Sequence, residues 1–393
     1  METMMTQRFI PLAVPNIGPA ETASVLEAVS SGWVSTVGPA VTQFESQVAE
    51  VSGVGKAAAV ASGTTALHMA LIVLGVGRDD LVILPSYSFI ASANAVSHAG
   101  AVPFFVDIDP DSWTLDPIAV RRAIEGHFHR DVHSRLVHKV SGQRLAAIMP
   151  VYTNGMPADM DAIRAVADDY DLPVLADAAA SIGALYKGRP IGQVADLTAL
   201  SFNGNKTLTT GGGGAVIGPD DAMVLRAKHI SSTARIGTDY DHDEVGFNAR
   251  MTNLEAALGV AQIERLPDFI AAKQRVADTY QAHLSDLPGV KMFPRPFWAE
   301  RSIWFTGIVL GANAAMDVQG LVAALNADGI GVRKFWKPLH RQTPYLAVPR
   351  DVLPVTEALW KHVLPLPCST DLTDDDLVFI VARVVAHLGG PVA

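Results

Sequence analysis

Lys206 stands in the stretch S-F-N-G-N-K-T-L-T-T-G-G-G-G, residues 201–214, between the apolar run Leu197 to Phe202 and a four-glycine turn that leads into Ala215 to Ile217. A lysine on a loop between two buried strands has a restricted reach, so its amine can be kept partly dry and its pKa lowered. That is what an imine-forming lysine needs. A surface turn carrying a solvated lysine is the plainer alternative. A P-loop does not fit, because that motif joins Gly directly to Lys, and Asn205 separates Gly204 from Lys206 here. Asp177 closes the apolar run in V-L-A-D-A-A-A-S, Val174 to Ser181. A carboxylate at such a strand end must be partnered; a pyridinium nitrogen would suit it, and a helix N-cap is the other use. In A-S-G-T-T-A-L, Ala61 to Leu67, Gly63 frees the backbone while Ser62, Thr64 and Thr65 bring hydroxyls and amides to a helix start. That end suits a phosphate, or is a Ser/Thr cap and nothing more. Phe89, in P-S-Y-S-F, opens the next helix as a core residue or a cofactor lid.

These residues need a scaffold that brings strand ends together. Short apolar runs recur at Ala57 to Val60, Leu81 to Leu84, Val102 to Val106, Leu145 to Val151, Pro173 to Ala176, Leu197 to Phe202 and Ala215 to Ile217. Intervals with helical periodicity separate several of them: Thr64 to Leu74, Phe89 to His98, Pro117 to Ile124 and Asp159 to Asp169. The alternation predicts an α/β fold with a mostly parallel seven-stranded sheet covered on both faces, whose ligands collect at the strands' carboxyl ends. Pro19 to Val29 and Val41 to Val51 read as helices ahead of the sheet; Asn253 to Arg265 and Pro267 to Leu284 read as two more beyond it. Short strands at Trp304 to Leu310 and Gly331 to Phe335 around a helix at Asp317 to Asp328 predict a smaller α+β domain, with the chain divided as 1–255 and 256–393.

Forty acids against 30 bases, without a long block of either sign, argue against nucleic acid as a partner. The single cysteine, Cys368, excludes an intramolecular disulfide and reads as packing. His127, His129, His133 and His138 alternate with basic residues and lack a fixed carboxylate or cysteine, so a polar exposed segment is expected there and no metal site. The start shows no apolar core preceded by positive charge, and no stretch nears 18 uninterrupted apolar residues; a soluble, cytoplasmic protein without a membrane span is expected.

Taken together, S-G-T-T-A-L, P-S-Y-S-F, A-D-A-A, the lysine-glycine stretch and V-G-F-N-A-R-M, Val245 to Met251, resemble the DegT/StrS family of sugar-nucleotide aminotransferases, fold-type I enzymes dependent on pyridoxal phosphate. N-G-N-K with its glycines, K-H-I-S-S-T-A-R, H-D-E-V-G-F-N and F-W-K-P-L-H look most like the branch that aminates C4 of a UDP-linked 4-keto-6-deoxy-N-acetylhexosamine, in legionaminic-acid and bacillosamine-type pathways; the GDP-perosamine synthases are close neighbours.

The resemblance implies that Lys206 forms the imine with the cofactor and later moves the proton, and that Asp177 pairs with the ring nitrogen. It implies that Phe89 stacks on the ring and that Thr64, Thr65 and Ser201 hold the phosphate. Asn248 would reach the phosphate of a neighbouring subunit, implying a homodimer with shared sites. Arg250, Trp33, Ser35, Trp304 and His340 lie in stretches the family uses around substrate or interface. L-glutamate is the expected amino donor, and a nucleotide-linked 4-keto sugar the acceptor. Two positions depart from the family's pattern. Ala180 stands where Gln, Glu or His is usual, and Gly212 where most members have Glu, although the legionaminic-type branch often shares that glycine. Other readings are a silent pyridoxal phosphate-binding regulator, motivated by Ala180, and a cofactor-free carbohydrate-binding module.

Overall fold

The computed structural model describes residues 9–300 and 303–389; the extreme ends of the two expected domains lie outside the described residues. Seven strands build the central sheet: β1 (Ala57–Val60), β2 (Leu81–Pro85), β3 (Val102–Val106), β4 (Leu145–Ile148), β5 (Leu175–Asp177), β6 (Leu197–Ser201) and β7 (Gly214–Ile217). Their order is β3-β2-β4-β5-β6-β7-β1. The β4–β5 join is made by parallel bridges, Ile148 to Val174 and Val151 to Asp177, and β7 alone runs antiparallel to both its neighbours. This is the expected mostly parallel sheet.

Both faces are buried. Along β1, Ala57 and Ala59 enter one apolar core while Ala58 and Val60 enter the other, the two-residue period of a strand covered on both sides. The covering helices include α1 (Pro19–Ser30), α2 (Pro39–Val51), α3 (Gly63–Val73), α4 (Ala91–His98), α5 (Pro117–His127), α6 (Met160–Asp169) and α7 (Asp221–Ser231). Several begin on side-chain caps, Ser62 accepting from Thr65 N–H and Asp159 from Ala162 N–H.

The expected boundary at residue 255 falls at the start of α8 (Asn253–Glu264), which packs on α1 and α2. Glu21, 1% exposed, accepts from Arg265 Nη1 at 2.6 Å and Gln262 Nε2 at 2.7 Å, tying α1 to the end of α8. The core changes over along α9 (Leu266–Leu284): Leu266 packs under the large sheet, whereas Val276, Tyr280 and Leu284 join a second core. That core lies against an antiparallel sheet of β8 (Val290–Met292), β9 (Gly307–Leu310) and β10 (Val363–Pro365), with α10 (Val318–Ala327) and α12 (Asp374–Leu388). Short α11 (Pro354–Leu359) precedes β10.

Gly331 to Phe335, expected as a strand, forms no ladder. Ile330 makes one bridge to Ile10, and the chain then turns toward the large domain. The third strand is instead β10, in the proline-rich stretch before Cys368. His127 to His138 is exposed through its middle, at His129 and His133, but not at its ends. Phe128–Arg130 pairs with Leu136–His138 as a hairpin, and His138 is buried against Phe104.

Candidate active site

The carboxyl ends of β4, β5 and β6 and the start of α3 surround a cavity of about 700 Å³, roofed by the second domain, within the usual range for a small-molecule site. Lys206 follows β6. Its Nζ lies 3.7 Å from the centroid of the Trp304 ring, which covers the amine with an aromatic face. Desolvation lowers the Lys206 pKa to about 8, against the opposing pull of the Asp177 charge.

Asp177 ends β5 and is 4% exposed. Burial raises its pKa; the Ser92 hydroxyl, the Ala179 N–H and the charge of Lys206 work the other way. Ser92 Oγ donates to Oδ2 at 2.6 Å and Ala179 N–H to Oδ1 at 3.2 Å. A buried acid that favours proton retention suits a partner able to carry that proton on a ring nitrogen.

At the far side, Ser62, Gly63 and Thr64 open α3 onto the cavity. A methyl at Gly63 would fall 2.5 Å from Ser201 Cβ, so glycine lets the helix start close on the end of β6. First-turn backbone N–H groups, a helix dipole and nearby hydroxyls suit this end to a phosphate. Thus helix end, amine and buried carboxylate fit the parts of pyridoxal phosphate.

The described structure therefore brings Lys206, Asp177, Thr64, Ser201, Phe89 and Trp304 to one cavity. Phe89 is 57% exposed and available as a lid. Thr65 is not on the wall; its hydroxyl meets Ser62 Oγ at 2.9 Å and completes the cap. Asn248 and Arg250 lie on a segment paired along the end of β1, and Asn248 is exposed outside this cavity. Trp33 and Ser35 are exposed, with their carbonyls accepting from Asn253. His340 is correspondingly remote. It is buried with Nδ1 2.6 Å from Ser86 Oγ and Nε2 on Glu357, in a separate recess.

Other contributors were not evident in the sequence. Ser92 lies one helical turn past Phe89 and carried no motif. Lys273 is 3% exposed in α9 and donates to the carbonyls of Trp304 at 2.9 Å and Cys368 at 2.6 Å, fixing the indole over Lys206. The indole Nε1 donates to Asn205 O at 2.7 Å. Asn154 and Trp336 also line the cavity. Ala180 lines it without a polar group, and Gly212 lies where a Cβ would come 3.0 Å from Glu255 Oε1.

Residues 15–385 match the DegT/DnrJ/EryC1/StrS aminotransferase family. The chain is 36% identical over 381 residues to GDP-perosamine synthase of Caulobacter vibrioides, covering 95% of this chain and 97% of that protein. A DegT DnrJ EryC1 StrS aminotransferase from Brucella abortus superposes with a TM-score of 0.85 at 31% identity, covering 94% of this chain and 95% of the other. DesV of S. venezuelae, solved with a ketimine intermediate, superposes with a TM-score of 0.82 at 30% identity, covering 93% of each chain.

Proposed function

This chain belongs to the DegT/DnrJ/EryC1/StrS aminotransferase family, as a sugar aminotransferase that works with pyridoxal phosphate, and on that premise we propose that it aminates C4 of a nucleotide-linked 4-keto-6-deoxy sugar, a UDP-linked N-acetylhexosamine, with L-glutamate as donor. The observation that carries the catalytic part is the enclosed amine of Lys206 sharing a cavity with the buried carboxylate of Asp177. The likeness of the whole chain to sugar aminotransferases supports turnover over a silent pyridoxal phosphate-binding protein.

When bound, the cofactor supplies an electron sink for the carbanion that amino transfer requires. The rest falls to this chain's residues. Ser62, Thr64 and Ser201 hold the phosphate, and Asp177 holds the ring nitrogen's proton in place. Lys206, once its amine is free, moves a proton to or from the reacting carbon from one fixed direction, which sets the stereochemistry of the product. Trp304 excludes water from that amine. Phe89 covers the ring. Asn248 reaches the phosphate of a second copy in a homodimer, and Arg250, Trp33 and Ser35 border that shared site.

A GDP-linked 4-keto-6-deoxymannose is the second reading, favoured by the likeness to the Caulobacter perosamine synthase. A panel of UDP- and GDP-linked 4-keto sugars with L-glutamate, read by mass and NMR of the product, separates them. The expected product is the 4-amino N-acetylhexosamine on UDP. Amination of the GDP sugar alone would select the second reading, and no amination of any sugar by the loaded protein would overturn both.

A further inference from the structure

Asn154 is 1% exposed on a cavity-lining residue, yet neither Oδ1 nor Nδ2 has a hydrogen-bond partner among the described residues. A carboxamide withdrawn from water and left unpaired is destabilising, so a site that keeps one points to a ligand group that completes it. The turn is firmly set. Asn154 has φ 58° and ψ 18°, a left-handed conformation that asparagine tolerates better than most residues. Its carbonyl accepts from Trp304 N–H at 2.8 Å, and the neighbouring Thr153 hydroxyl donates to Trp113 O at 2.8 Å. Tyr152, whose hydroxyl is also unpaired, packs its ring into the core that holds Met160 and Ile163 of α6.

Sheet order says which ligand atom Asn154 meets. Asp177 ends β5. The phosphate cradle lies on one side of it, at Ser201 after β6 and at the α3 start after β1; Asn154 lies on the other side, after β4. In pyridoxal phosphate the phosphate arm and the 3-oxygen occupy opposite edges of the ring, flanking the carbon that bonds to lysine. A ring with its nitrogen at Asp177 and its phosphate at the α3 start therefore turns its 3-oxygen toward β4. Ala180, on the same cavity, has a side chain with no polar atom to offer.

We infer that Asn154 is a cofactor-binding residue whose side-chain N–H donates to the 3-oxygen of the pyridoxal ring, in place of a polar side chain at position 180. This rests on the cofactor assignment made above. Donation to the 3-oxygen stabilises its negative charge and weakens its hold on the neighbouring imine proton, so the wild-type imine loses that proton at lower pH than it would without Asn154.

The test is a pH titration of the visible absorption band of the lysine-bound cofactor in wild type, Asn154→Gly and Asn154→Asp, with the dissociation constant of pyridoxal phosphate and the Tm of the cofactor-free proteins. Glycine keeps the left-handed turn without strain; aspartate keeps the shape but offers no N–H. Both should raise the titration midpoint by roughly one pH unit and weaken cofactor binding about tenfold, the scale of one hydrogen bond to a charged oxygen. Adding Ala180→Gln to Asn154→Gly should return the midpoint toward wild type. A lower Tm with an unmoved midpoint in either single variant would make Asn154 merely structural and overturn the inference, and failure of Ala180→Gln to restore a raised midpoint would overturn the claim that both positions face the same oxygen. A wild type that never develops the band would instead defeat the cofactor assignment itself.

Discussion

Lys206 and Asp177 divide the chemistry by their surroundings. With the lysine pKa near 8, its reactive neutral form grows as pH rises through that value. The rate at which cofactor-free protein forms its coloured imine should climb about tenfold per pH unit below 8 and level off above it, as stopped-flow absorbance would show; a flat profile from pH 6 to 9 would contradict a dry amine. Lys206→Ala should lower turnover by at least about 10²–10⁴-fold, the usual range for a positioned proton carrier, while leaving the Tm nearly unchanged. Asp177→Asn should lower it by about 10²–10³-fold, on the scale of other preorganised electrostatic contacts. At this scale the sequence was informative where a residue's neighbours carry the signal. Lys206 before four glycines and Asp177 at the end of an apolar run could be read directly. Lys273 could not, because a lysine in an amphipathic helix looks solvated until the fold shows two carbonyls closing over it.

Among the elements, the start of α3 depends on a missing side chain. Gly63→Ala would place a methyl 2.5 Å from Ser201 Cβ, so helix and strand must separate. The expected loss is about 1–3 kcal/mol of stability, measured by urea denaturation, together with weaker retention of pyridoxal phosphate. The α1–α8 contact depends on charge. Burial pushes the Glu21 carboxyl up, but Arg265, its own N–H, Gln262 and the Gly18 N–H outweigh it and leave its pKa below the usual value. Its contribution is therefore present at neutral pH and lost as pH falls through the folded-state pKa. Arg265→Met should cost about 3 kcal/mol at pH 7 by stranding the carboxylate, and the gap to wild type should narrow on acidification. The seven runs of the main sheet were legible because each is mostly apolar, with Thr198 and Ser201 the polar exceptions in β6. Gly331 to Phe335 was misread because an extended stretch can serve as a cavity wall, as Arg333, Lys334 and Phe335 do, as well as a strand, and only tertiary pairing distinguishes them. The β10 strand was missed because it is three residues long and ends on Pro365, which lacks the N–H a ladder uses.

For the whole molecule, the sheet could be derived from sequence but the division between domains could not. Periodicity finds α8 and α9 equally well, yet does not say that α8 belongs with α1 and α2 while α9 bridges two cores. Nor could local spacing show that Trp304 and Lys206, 98 positions apart by their numbers, make one contact. The proposed homodimer is a prediction at this scale. Light scattering should give twice the mass of one chain, and Asn248→Ala should weaken cofactor retention without lowering the Tm of the cofactor-free protein if this side chain serves the other subunit's site. Cys368 offers a different measurement. Its side chain is fully buried, 3.6 Å from Lys273 Nζ, beneath the residues that roof the cavity. Alkylation of this lone thiol would thus act as a clock for the lifting of the roof, slow while pyridoxal phosphate and sugar hold it down and faster whenever the second domain breathes.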